Sequence, residues 1–252
     1  MTNIVPLKKE QLANIKVASK RTLAHAENQH LLPIQAREFN QACTSYPIII
    51  VKDPESDRFR TVVMLGLEGG ENLYYEEEKW NAIYVPQSIS MVPFALGLDP
   101  EKEKTLTACI DLDSPWVGED KDMELFDAEG NETELTKGVR ESLGRLYEDE
   151  VTTEKFIAEL EENGLLMELE LQINLANGEN KKLVGLHGID EQKLQELPDE
   201  KIVDFHKRGL FIPIHAMLAS SGQINRLAQL RNLSASEVKV SGLRFARPEA
   251  SE

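Results

Sequence analysis

Cysteine is scarce in this chain. Only Cys43 and Cys109 occur among its 252 residues. Small domains that depend on covalent cross-links carry many more cysteines, whereas cytosolic proteins keep their thiols reduced. A chain of this length also buries a large apolar core without cross-links. The sequence therefore excludes a disulfide-dependent fold and predicts two reduced thiols.

Long hydrophobic runs are also missing. The longest strongly apolar stretch, residues 210–219, is interrupted by Pro213 and His215, and a membrane-spanning helix needs about 20 apolar residues. The first residues include Lys8 and Lys9 but lack the apolar region and cleavage site of a secretory signal. We therefore expect no transmembrane segment, which excludes a permease, and we expect a soluble protein of the cytoplasm.

Positive charge is scarce in the chain as a whole. The sequence has 28 lysine and arginine residues against 44 aspartate and glutamate residues, a net charge of −16. So acidic a chain repels a phosphate backbone, and we expect no nucleic-acid partner. Residues 1–37 differ, because six basic and two acidic side chains give this leader a charge of +4. The basic leader either packs as a solvated arm on the acidic body or docks on an acidic partner or anionic lipid.

The usual sequence signatures of enzymes are absent. The sequence contains no GxSxG nucleophile elbow, no GxGxxG or GxxxxGK[ST] phosphate loop and no HExxH metal motif. We therefore expect no catalytic residue and no cofactor. This pattern favours a binding protein over an enzyme.

Strand-like segments dominate the first half of the chain. Residues 48–51 are consecutive β-branched residues, which predict a buried strand over 46–52. Turn-forming residues connect it to a second strand at 59–67, as in an antiparallel hairpin. Alternating apolar residues predict a further strand over 80–85, ending at Pro86. The first half is therefore predicted to be mainly an antiparallel sheet.

The second half shows helical periodicity and one more hairpin. Apolar spacing predicts one helix around 139–146 and a second helix that Thr153 caps and Gly164 ends. Apolar and polar residues alternate over 165–175, and the Asn-Gly pair that follows predicts a hairpin turn. Helical segments then continue to about residue 233.

These patterns predict an α+β fold. We assign residues 1–37 to the basic leader, 38–233 to a single α+β domain and 234–252 to a loose C-terminal tail.

Aromatic residues make up only 6% of the chain, yet they cluster in the block 72–98. Clustered rings line grooves that bind peptides or aromatic ligands. Trp80, Tyr84 and Phe94 are therefore our candidate ligand-binding residues. Packing of the same rings in the core is the alternative interpretation.

Two histidines and a carboxylate form a second candidate site. His187, Asp190 and His215 could hold a non-haem iron, since imidazole and carboxylate suit an open iron site. In the alternative interpretation, Asp190 caps the helix that begins at Glu191, and His215 packs in the core.

Four short sequence motifs occur in order along the chain: YPIIIVKD at 46–53, WNAIYVP at 80–86, LFDAEG at 125–130 and LASSGQ at 218–223. Together they resemble the ordered blocks of the SapC family of bacterial proteins. The likeness covers roughly residues 5–235.

The resemblance implies an accessory protein. The SapC family takes its name from a gene neighbourhood for surface-layer protein transport, and it has no established catalytic residues. Our hypothesis is therefore a protein that binds a protein or peptide client, in surface-protein transport or peptide modification. The alternative is a non-haem iron or other metal-dependent oxygenase-like enzyme. A homo-oligomer is compatible with both.

Overall fold

The computed structural model of the chain describes residues 3–53, 56–100, 102, 104–236 and 238–248. Helices and antiparallel strands occur together in them, which confirms the predicted α+β class. The strands are β1 (Ile4–Pro6), β2 (Lys16–Val17), β3 (Leu31–Pro33), β4 (Ile48–Lys52), β5 (Phe59–Met64), β6 (Tyr75–Glu76), β7 (Lys79–Trp80), β8 (Phe94–Leu98), β9 (Leu106–Asp111), β10 (Val117–Gly118), β11 (Met123–Glu124), β12 (Leu166–Leu175), β13 (Asn180–Ile189) and β14 (Val240–Ala246).

Most of the helical residues follow the first-half strands. The α-helices are α1 (Lys9–Leu12), α2 (Phe39–Ala42), α3 (Gln87–Ser90), α4 (Glu134–Glu162), α5 (Glu191–Gln195), α6 (Asp199–Arg208), α7 (Phe211–Ser220) and α8 (Ile224–Leu233). Short 3₁₀ turns occupy Ala24–Ala26, Ala36–Glu38 and Ser221–Gln223.

The chain forms two compact units. The first comprises Met1–Thr22 and Gln87–Glu148, and the second comprises Leu23–Pro86 and Asp149–Glu252. Residues predicted to form the leader, 1–37, contribute to both units, and so do the residues predicted to form one domain, 38–233.

The first unit contains two small antiparallel sheets, with the strand orders β1-β9-β8 and β10-β2-β11. Basic side chains of the predicted leader are paired here, because Lys8 lies 3.7 Å from Asp99 and Lys16 lies 3.0 Å from Glu124. The buried core of this unit combines strand and helix residues: Leu7, Leu12, Val17, Phe94, Ala108, Ile110, Leu125, Phe126, Val139 and Leu143.

The second unit is built on a six-stranded antiparallel sheet with the order β14-β12-β13-β4-β5-β3. The predicted hairpin is confirmed, since β4 pairs with β5 from Ile48 opposite Val63 to Lys52 opposite Phe59. The second predicted hairpin is β12 with β13. The two hairpins meet at β4 and β13, where only Leu186 with Val51 and His187 with Ile50 are paired. A local pattern cannot encode this junction, because its strands are far apart in sequence.

Helix α4 corrects the prediction of two helices in the region 139–163. It is one continuous helix of 29 residues. Thr153 does not begin a new helix, because its hydroxyl donates to the carbonyl of Asp149 one turn earlier (2.7 Å). The same oxygen accepts the backbone N–H of Ala36 (2.9 Å), which lies 117 residues away in sequence. Threonine is common at helix starts, but Thr153 instead bonds to Ala36, a residue distant in sequence.

The range predicted as a loose tail, 234–252, contains β14. This strand pairs with β12 from Glu170 opposite Ala246 to Leu175 opposite Val240. The side chain of Asn232 fixes the start of β14, since it accepts the N–H of Val240 (2.7 Å) and donates to the carbonyl of the same residue (2.8 Å).

Ser220 and Ser221 precede an amphipathic segment, which is a position typical of helix caps, but neither side chain caps the last helix. Helix α7 includes Ser220, and the 3₁₀ turn leads directly into α8. The hydroxyl of Ser220 is fully buried, accepts the N–H of Ile48 in β4 (2.9 Å) and donates to the carbonyl of Met217 (2.6 Å). It therefore joins α7 to the sheet.

Replacing Ser220 by Ala is expected to lower the free energy of unfolding by about 1–3 kcal/mol, because the buried N–H of Ile48 loses its acceptor. Ser221→Ala is the matched control, since the exposed Ser221 hydroxyl only donates to Leu218 within the helix (2.8 Å); its effect should stay within about 0.5 kcal/mol. Denaturant unfolding of both variants measures the difference, and equal stabilities would contradict the assigned role.

Candidate functional site

Two buried tyrosines form the base of the candidate site in the second unit. Tyr46 lies two residues before β4, the first strand of the sheet hairpin, and its ring meets that of Tyr74 edge-on at a centroid distance of 4.7 Å. The hydroxyl of Tyr74 donates to the carbonyl of Ser45 (2.7 Å). Both rings are thereby fixed in position beneath the aromatic block.

The segment 80–84 is a bend closed by side-chain hydrogen bonds. The indole N–H of Trp80 donates to the hydroxyl of Tyr46 (2.7 Å) and, more weakly, to the carbonyl of Tyr84 (3.3 Å). The Tyr46 hydroxyl donates in turn to the same carbonyl of Tyr84. The strand predicted over 80–85 is therefore wrong beyond Trp80, the last residue of β7. The alternating pattern of residues 80–84 arises because the rings of Trp80 and Tyr84 face the protein, whereas Ile83 between them faces outwards.

Tyr84 is held at its other end by a buried acid. Its hydroxyl donates to Glu38, whose other carboxylate oxygen accepts the N–H of Gln35 (3.0 Å). Glu38 is only 3% exposed, so these contacts satisfy a carboxylate that water does not reach. The bend is thus anchored both to Tyr46 and to the 3₁₀ turn at Ala36–Glu38.

A cleft of about 400 Å³ opens beside this bend. One wall consists of residues 80–83 with Tyr74, Thr44 and Ser45, and the other consists of Gln223 and Arg226. We call it the Trp80 cleft. The amide of Gln223 donates to the carbonyl of Cys43 (3.2 Å), which ties the second wall to the first.

The Trp80 cleft combines an apolar and a cationic group. Ile83 is 93% exposed, whereas Trp80 is partly buried and stacks on Tyr74 with an interplanar angle of 24°. Arg226 projects from α8 into the same cleft. The arrangement offers apolar contact and a positive charge side by side, and it can bind but has no nucleophile and base in hydrogen-bond contact among its described residues.

Burial also sets the protonation of the two tyrosines at the base. Desolvation raises the pKa of Tyr46, and the hydrogen bond from Trp80 only partly opposes it. Desolvation likewise raises the pKa of Tyr74, with the nearby Tyr46 adding to the rise and Arg226 opposing it. Both phenols therefore stay neutral at physiological pH and keep their donor hydrogens.

The SapC family model matches residues 7–227. The chain belongs to the SapC family. The match includes all four sequence motifs on which the resemblance rests, and it includes every residue that lines the Trp80 cleft. Neither the curated proteins nor the solved structures contain a match to the chain.

The three candidate ligand-binding residues of this SapC chain lie in different surroundings. Trp80 and Tyr84 are partly buried and share the bend of the second unit. Phe94 belongs to the first unit, where it is buried in the core of β8 and pairs in register with Ile110. The structure thus brings two of the three together, and both also serve as hydrogen-bonded supports.

Each of the candidate metal ligands makes contacts with its own neighbours. The ring of His187 meets Phe59 edge-on at 4.9 Å. Asp190 caps α5 by accepting the N–H of Lys193 (3.2 Å) and pairs with Arg247 (3.3 Å). His215 is exposed on α7 and donates to the carbonyl of Phe211 (2.8 Å). Within the described part of the chain, no three His, Cys, Asp or Glu side chains are grouped to hold a metal.

One further finding concerns membranes. Among the described residues, no helix of this SapC chain has both the length and the apolar character needed to cross a bilayer. Even α4, with 29 residues, carries charged side chains along its length.

Sequence reasoning did not identify Ile83 or Arg226 as site residues. Ile83 is the apolar residue between the two inward rings, so its exposure is a consequence of the bend. Arg226 lies among the buried residues Ile224, Leu227 and Leu230 of α8, and its helical position alone does not reveal what it faces. No sequence signal identified Arg226 as a cleft residue.

Alkaline titration tests the packing of the two tyrosines. Their raised pKa values mean that the folded state holds protons that the unfolded chain releases near pH 10 (about the ordinary tyrosine pKa). Their contribution to stability is therefore complete below about pH 10 and is lost as the pH rises above it. Tyrosinate absorbance of the folded protein should lag behind that of the denatured chain, and the double variant Tyr46→Phe, Tyr74→Phe should lose the late phase. Simultaneous ionisation of all five tyrosines near pH 10 in the folded protein would contradict the burial.

Proposed function

We propose that this SapC-family chain is an accessory protein that binds a protein or peptide client in the Trp80 cleft. The observation that carries the proposal is Ile83, which is 93% exposed in the same cleft as the partly buried ring of Trp80. A single exposed apolar residue is ordinary on a protein surface. One that stands beside an aromatic ring in a concave site provides the apolar anchor contact that binding sites use.

The rigidity of the bend supports the proposal. Trp80 and the Tyr84 carbonyl are tied to Tyr46, and the Tyr84 hydroxyl is tied to the buried Glu38. A client that meets Ile83 therefore meets a surface that is already ordered, and less conformational entropy is lost on binding. A loop that becomes ordered only on binding loses more conformational entropy.

Family membership is consistent with an accessory role. The SapC resemblance implies a protein that acts beside others, in surface-protein transport or peptide modification, and the family has no established catalytic residues. A cytoplasmic place of action belongs to the same proposal.

Ile83→Asp tests the proposal better than substitution of the rings does. Removing Trp80 or Tyr84 also removes hydrogen bonds that hold the bend, so lost binding would be ambiguous. Ile83 makes little contact with the fold, and its replacement by a charged residue should leave the unfolding curve unchanged. Val184→Asp is the matched control, since Val184 is 68% exposed on β13 and does not line the cleft.

We expect the wild-type chain to bind a subset of an array of synthetic decapeptides. Ile83→Asp should weaken that binding at least tenfold, because burying an isoleucine side chain is worth about 1.5–3 kcal/mol. Val184→Asp should bind the same subset as the wild type. An array on which no peptide binds, or on which Ile83→Asp binds like the wild type, would refute the proposed site.

A further inference from the structure

Arg226 is an unpaired cation in a strongly acidic protein. Its guanidinium forms no hydrogen bond or ion pair with any residue in the described ranges 3–53, 56–100, 102, 104–236 and 238–248, although its side chain is partly buried. Arg231 on the same helix differs, because it pairs with Glu71 and lies 3.6 Å from Glu68. The N–H donors of Arg226 are therefore available to a ligand that enters the cleft.

The surroundings of Arg226 suit a carboxylate. Tyr74 and Trp80 form the wall opposite, and the side-chain amide of Asn81 is likewise unbonded to any described residue. The charge of Arg226 reaches the base of the cleft, since it opposes the rise that desolvation and Tyr46 cause in the pKa of Tyr74. Guanidinium groups bind carboxylates through two parallel N–H donors.

The apolar contact lies in the same small cleft as the cation. A cleft of about 400 Å³ contains Ile83, Ala82 and Arg226 together. The last residue of a peptide carries its side chain and its terminal carboxylate on one Cα atom, so it can reach both groups at once. An internal Asp or Glu would meet Arg226 with its side chain and leave Ile83 to a different residue.

We propose that the Trp80 cleft binds the C-terminal residue of its client, with the terminal carboxylate paired to Arg226 and the last side chain packed against Ile83. This inference rests on the proposed function and names the chemistry that the cleft recognises. The side-chain amide of Asn81 lines the same cleft and offers a donor and an acceptor for the last peptide group.

N-acetyl-leucine and N-acetyl-leucinamide are the simplest probes, since they differ only in the carboxylate. The chain has two tryptophans, so Trp116→Phe leaves Trp80 as the single indole reporter of the cleft. We expect the acid to change Trp80 fluorescence saturably and to bind at least tenfold more tightly than the amide. Calorimetry on the wild-type chain repeats the comparison without the Trp116 substitution.

Variants of Arg226 complete the test. Arg226→Gln should reduce binding of the acid to the level of the amide and leave the amide unaffected, and Arg226→Lys should retain part of the difference because it keeps the charge but not the paired donors. Arg244→Gln, an exposed arginine on β14 bonded to Gln172, is the matched control and should bind as the wild type does.

Each other outcome overturns the inference. Equal binding of acid and amide, no binding of either, or an unchanged acid affinity in Arg226→Gln would exclude carboxylate recognition. N-acetyl-glutamic acid α-amide carries only a side-chain carboxylate, and binding of this probe as tight as that of N-acetyl-leucine would exclude selection of the chain terminus. If these results fail while Ile83→Asp still abolishes peptide binding, the inference is wrong and the proposed function stands. If Ile83→Asp has no effect on the peptide array, the proposed function is wrong whatever the carboxylate probes show.

Discussion

The hydroxyl of Tyr46 is the contact on which the candidate site depends. It accepts the indole N–H of Trp80 and donates to the carbonyl of Tyr84, so one buried oxygen closes the bend from both ends. Tyr46 lies two residues before β4, and the bend is therefore attached to the six-stranded sheet. The outward position of Ile83 follows from this attachment, because the chain must turn for both Trp80 and Tyr84 to reach the same phenol.

Much of the fold was predictable where a single segment carries its own signal. The β-branched run at 48–51 predicted β4, and the alternation at 165–175 predicted β12. The predictions that failed rest on residues whose side chains bond to distant parts of the chain. Thr153 resembles a helix cap, but its oxygen receives the N–H of Ala36 from a distant part of the chain.

The candidate site was predictable in part for the same reason. Aromatic clustering pointed to Trp80 and Tyr84, and both do belong to the bend beside the cleft. Their alternation with Ala82 predicted a strand, since nothing local indicates that Tyr46, 34 residues before Trp80, captures the indole. Arg226 could be identified as a site residue only from the tertiary structure, because it belongs to the cleft through the packing of α8 beside the bend.

The junction of β4 with β13 has a consequence for how the Trp80 cleft comes into being. Strand β14 joins β12 from beyond α8. The strands β3, β4 and β5 come from the stretch 31–64 and the hairpin of β12 and β13 from the stretch 166–189, so each of these two parts of the sheet assembles through comparatively local pairing. Their two-pair junction closes a long intervening loop, and closures of that kind are entropically unfavourable and slow. Residues 74 and 80–83 of the cleft lie within that loop, and Gln223 and Arg226 follow the strand that closes it. Under the proposed function, a client can engage all of these residues only on a chain that has closed this loop, and its binding there stabilises the completed fold through mass action. The proposed binding in this way distinguishes fully folded molecules from partly folded ones.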